Sequence, residues 1–213
     1  MRRLAVSVMA APLIAALVAS PVAADTISRD RTEFDRAQGS FEFSLGGRDF
    51  TGQILVQRDS ETGASIASFF YFSVVDVMCD NGTPEDPDDD FLSGDLIDFT
   101  ANEAPPATLS FESNLSAASA SATASGQRLH IEACTETVTS VTETVSWQLD
   151  LQATGPAART TEVNRFPNED GTVETQSIRI AQRPAAGTIT IDGTTLSVQG
   201  ASISHTLIAT TIR

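Results

Sequence analysis

The sequence predicts an all-β chain: a single antiparallel β-sandwich or β-barrel of about 10–12 strands, held by one disulfide. Three observations lead there. Apolar residues recur with a period of two along most of the chain. Gly, Pro, Asn and Asp punctuate the runs at short intervals. No segment past residue 25 carries a helical period with caps at its ends.

The strands follow in order. Ser40 to Leu45 alternates, with Phe41, Phe43 and Leu45 on one face and Ser40, Glu42 and Ser44 on the other. Phe50 to Arg58 is the second run. Ile66 to Cys79 is the most apolar run beyond the leader and reads as a central strand, buried in part on both faces. Leu96 to Thr100 and Thr108 to Glu112 are short strands separated by Asn102, Pro105 and Pro106. From Ala118 to Ser125, alanine alternates strictly with Ser or Thr, which predicts a strand whose small face packs on something bulky. Arg128 to Cys134 continues it. Val138 to Ala153 sets Trp147, Leu149 and Leu151 against Gln148, Asp150 and Gln152, and Gly155-Pro156 ends it. Arg159 to Phe166 and Thr172 to Arg183 come next. Thr188 to Ile191 and Thr194 to Val198 flank Asp192-Gly193, the signature of a two-residue hairpin turn, with Ile189 opposite Leu196. Ser202 to Ile212 is the last strand.

The N-terminus reads differently. Arg2-Arg3, an apolar run from Leu4 to about Val18, and small residues at Val22-Ala23-Ala24 have the form of a secretory signal peptide. The run is shorter than the roughly 20 residues of a spanning helix, and no later stretch is long and apolar enough to span a bilayer. The expected division is a signal peptide over residues 1–24 and one β domain over 25–213, secreted, extracellular or periplasmic.

Charge narrows the chemistry. The chain carries 28 Asp+Glu against 13 Lys+Arg, for a formal net charge of −15. Every one of those cations is arginine. Schiff-base catalysis, P-loop phosphate binding and Ser-Lys dyads all require the missing lysine. Nucleic-acid binding needs clustered cations, and the linear sequence shows no such cluster, so no nucleic-acid partner is expected. An arginine-only basic set with abundant alanine fits a GC-rich bacterial genome.

Cys79 and Cys134 are the only cysteines. An exported chain with one pair predicts one disulfide.

The acidic stretch from Asp80 to Asp98 has no basic residue and is the one candidate metal site. Asp86, Asp88, Asp90 and Asp95 could offer the oxygen ligands that Ca²⁺ prefers. It is not an EF-hand: Phe91 stands where the loop needs glycine and Ile97 where it needs a bidentate glutamate. Apart from this cation the sequence calls for no cofactor. His130 and His205 are the only histidines. Catalysis would require one of them beside two carboxylates in a cleft. Otherwise His130 is expected as an outward polar residue and His205 as a hydrogen-bonded core or rim residue. No Gly-x-Ser-x-Gly elbow is present. Trp147 and Tyr71 sit in apolar patterns and are expected in the core.

The sequence thus points first to a non-enzymatic binding protein for a small ligand, an envelope component or a protein partner. A Ca²⁺-stabilised surface or adhesion module is the second expectation. An extracellular hydrolase using Asp/Glu is the third.

Overall fold

The computed structural model describes residues 29–80, 91–101 and 103–212. The expected signal peptide, Asp86, Asp88 and Asp90 lie outside them. Among the described residues there is no helix. The described residues form ten strands in one antiparallel sheet: β1 (Arg29–Leu45), β2 (Arg48–Asp59), β3 (Ser65–Cys79), β4 (Phe91–Ala101), β5 (Thr108–Phe111), β6 (Ala117–Ile131), β7 (Val138–Ala153), β8 (Ala158–Pro167), β9 (Val173–Ile191) and β10 (Thr194–Ile212).

The sheet closes on itself. Strands run in the order β10-β1-β2-β3-β4-β6-β7-β9, and β9 pairs back to β10. Closure satisfies the backbone groups that an open sheet would leave on its edges. Two strands stand off the ring: β5 beside β6, and β8 beside β9.

The inner face is packed with side chains. Phe41, Phe69, Phe99, Ile54, Leu149, Leu151, Ile189 and Ile203 are all but inaccessible to solvent. Phe69 stacks on Phe41 at 5.6 Å and on Trp147 at 6.4 Å. Each large apolar side chain so buried stabilises the fold by roughly 1.5–3 kcal/mol. The alanines of β6 explain how the bulk fits. Ala118, Ala120 and Ala124 are buried across from Leu151, Leu149 and Val145. Small residues on one strand leave room for large ones on its neighbour.

The turn between β9 and β10 is the expected one. Asp192 (φ 46°) and Gly193 (φ 86°) both take positive φ, and Ile189 sits opposite Leu196. The disulfide Cys79–Cys134 ties the end of β3 to the turn after β6, with the Cα atoms 5.2 Å apart.

Two features depart from the linear pattern. Strand β1 begins at Arg29, well before the apolar alternation starts. β9 and β10 are each one long strand where the apolar pattern shows two pieces. Pro184 does not break β9. It falls between the stretch paired with β8, which ends at Gln182, and the stretch paired with β7, which starts at Ala185. No ladder on that edge needs its missing N–H.

Candidate functional site

Strand β2 carries an arginine at each end, Arg48 and Arg58, both in phase with the core residues Ile54 and Val56. Each reaches an aspartate and a histidine at its own end of the ring. At one end, the Arg48 guanidinium donates to Asp95 Oδ1 at 3.0 and 3.1 Å and to its carbonyl at 2.8 Å. His130 Nε2 lies 2.9 Å from the same Oδ1. Burial pushes the Asp95 carboxyl up, but hydrogen bonds from Arg48 and His130, with their charges, outweigh it and hold the group below its ordinary value. Beside them Arg128 Nε meets Glu143 Oε2 at 3.2 Å. Tyr71 lies half-buried near Glu143, and burial together with that carboxylate pushes its phenol up to about 12.

At the other end, Arg58 donates to Asp35 at 2.7 Å, and its guanidinium lies 5.2 Å from the centre of the Phe111 ring. His205 places Nδ1 2.9 Å from Asp35 and Nε2 3.1 Å from Glu33. Direct cross-strand pairing builds this row: Arg58, Asp35 and His205 are register partners across β2, β1 and β10.

The chemistry follows from the partners. Both ring nitrogens of His205 already face carboxylates, and Asp35 is shared with Arg58. Among the described residues neither histidine has a hydroxyl or thiol on its ring. A histidine with two carboxylates is present, yet every member is occupied by another. The constellation locks strands together.

The same inner face continues past the ring over β8, β9, β10 and the start of β1. Register partners share a face, so its rows can be read directly. One row is Arg159, Ala181, His205, Asp35 and Arg58. The next is Thr161, Arg179, Leu207 and Glu33. Beyond it Val163, Ser177, Ala209 and Arg31 align, then Arg165, Thr175, Thr211 and Arg29. Arg183 joins through Ile203. Glu33 and Asp35 are the only acids on this face of these strands; Asp30, Glu162 and Glu174 fall on the opposite one. Among the described residues, Arg159, Arg165, Arg179 and Arg183 have no ion-pair partner. The first three are exposed, and Arg183 keeps a buried Nε with no acceptor. The linear sequence hides this cluster because its members come from separate strands.

The outer face carries an apolar row, Val74, Leu96, Ile131 and Val138 across β3, β4, β6 and β7. Its end members Val74 and Val138 are 56% and 60% exposed. Surface depressions border outward residues such as Ser121, Thr123 and Gln148, or Glu42 and Ser44, whereas the ring interior is filled by the aromatic stack.

The residues singled out from sequence fare as follows. Cys79 and Cys134 are bonded. Trp147 is buried, and Tyr71 packs against the core. His205 is a hydrogen-bonded rim residue. His130 differs from expectation, since its phase in β6 sets it on the inner face, where it meets Asp95. Asp95 Oδ1 is held by Arg48 and His130. Among the described residues, no group of three or more His, Cys, Asp or Glu is placed to hold a metal. No protein-family profile, curated protein or solved structure matches this chain.

Proposed function

We propose that this chain is a non-enzymatic binding protein that takes an anionic ligand on the inner face of β8, β9, β10 and β1. The observation that carries the reading is the set Arg159, Arg165, Arg179 and Arg183. A chain with 28 acids and 13 bases has carboxylates to spare for every arginine. Among the described residues it nevertheless leaves these four without one, together on one face. Arg179 sits diagonally from Arg159 across β8 and β9, an arrangement that costs repulsion until an anion fills it. Guanidinium forks suit carboxylate, phosphate and sulfate groups.

An exported location accords with this reading. The disulfide is compatible with an oxidising compartment, and among the described residues no helix is long and apolar enough to cross a membrane.

Poly-L-glutamate is the probe. Fluorescence anisotropy should show binding that weakens with salt, and a triple variant Arg159→Gln/Arg165→Gln/Arg179→Gln should bind at least about tenfold less tightly. Equal binding by the triple variant would sink the proposal.

A further inference from the structure

We infer that the anionic ligand is an extended acidic peptide segment that adds as a strand to the free edge of β8; this rests on the anionic reading above. Strand β8 pairs with β9 along its whole length, Ala158–Pro167, and with nothing else among the described residues. It is the last strand in the sheet order and stands outside the closed ring. Among the described residues its outer edge therefore presents a row of unpaired N–H and C=O groups. The register with β9 runs without a bulge, so the edge is regular. Nearly every residue of β8 is exposed.

The side chains specify the partner. An added strand shares faces with β8. On the inner face it would meet Arg159, Thr161, Val163 and Arg165, and on the outer face Thr160, Glu162 and Asn164. Arg159 and Arg165 call for carboxylates, Val163 (54% exposed) for an apolar residue, and Glu162 for a cation. A second copy of β8 fits poorly. Two-fold antiparallel pairing centred on Glu162 would set that residue against itself and Arg159 against Arg165. Nucleic acid is disfavoured because β8 and β9 offer no exposed aromatic ring on the inner face for bases to stack on.

The test uses the purified full chain and the labelled peptide Glu-Thr-Val-Lys-Thr-Thr-Glu, whose acids fall opposite Arg165 and Arg159 when it runs antiparallel. The parent peptide should bind and slow deuterium exchange in β8. Replacing both glutamates by glutamine should weaken it at least about tenfold. Two further peptides carry N-methyl groups on alternate amides, one set in each phase. Only the set facing the edge should abolish binding. Equal binding by both methylated peptides, with loss in the Arg159→Gln/Arg165→Gln variant, would overturn strand addition and leave the anion-binding face standing. No peptide binding at millimolar concentration, or tighter binding of a single-stranded oligonucleotide than of the peptide, would also overturn it.

Discussion

At the scale of single residues, the ends of the ring are where charge meets the core. Tyr71 is the only tyrosine, so its titration can be read without interference. Its neutral phenol is favoured by the fold, since burial and Glu143 oppose the anion and push it from 10.0 to about 12. This contribution to stability is complete below pH 10 and is lost as pH rises from there towards about 12. Tyrosinate absorbance in the native protein should therefore have its midpoint near 12, and Glu143→Gln should lower it; a native midpoint near 10 would contradict the placement. Asp95 works in the opposite sense. Its carboxyl is held low, so its stabilisation is present above the unfolded value of about 3.9 and fades as pH falls through the depressed one. Arg48 and Arg58 show how far one residue's role was legible. Arg58 closed the expected second strand, whereas Arg48 fell outside it and joined the strand only in the structure. That each would find an Asp and a His was not legible, because those partners come from β4, β6, β1 and β10.

At the scale of strands, legibility followed the apolar pattern. The alternation of β7 and the Ala/Ser alternation of β6 were readable because Val145 to Leu151 and Ala118 to Ala124 fill their inner positions with apolar or small residues. The first part of β1 was not, because its inner positions hold Arg31, Glu33 and Asp35, which look like loop in a linear reading. β9 needs one residue without a side chain. A Cβ on Gly187 would come within 1.9 Å of the Asp150 carbonyl oxygen and 2.9 Å of Leu151 Cα. Both are backbone atoms of the paired strand β7 and cannot rotate away. Gly187→Ala should therefore destabilise by roughly 1–3 kcal/mol, read as a lower midpoint in urea with Trp147 fluorescence; an unchanged midpoint would show that the strands can part there.

At the scale of the molecule, the disulfide and the ring closure restrain the same chain by different means. The bond links residues 55 apart in sequence, which stiffens the unfolded chain most. In the chain-entropy description Cys79→Ser/Cys134→Ser should lose about 4 kcal/mol, measured by denaturant unfolding. A loss below about 1 kcal/mol would mean that ring closure alone restrains these segments. The sequence by itself determined the all-β class, the position of most strands, the Asp192-Gly193 turn and the cysteine pair, because each depends on local periodicity, backbone conformation or composition. Tertiary structure alone decided the rest. It closed one sheet into a ring, turned His130 inward, and gathered arginines from β8 and β9 onto one face of an otherwise acidic protein. Strand register governs those outcomes, and register is a relation between residues far apart in the chain that no local pattern records.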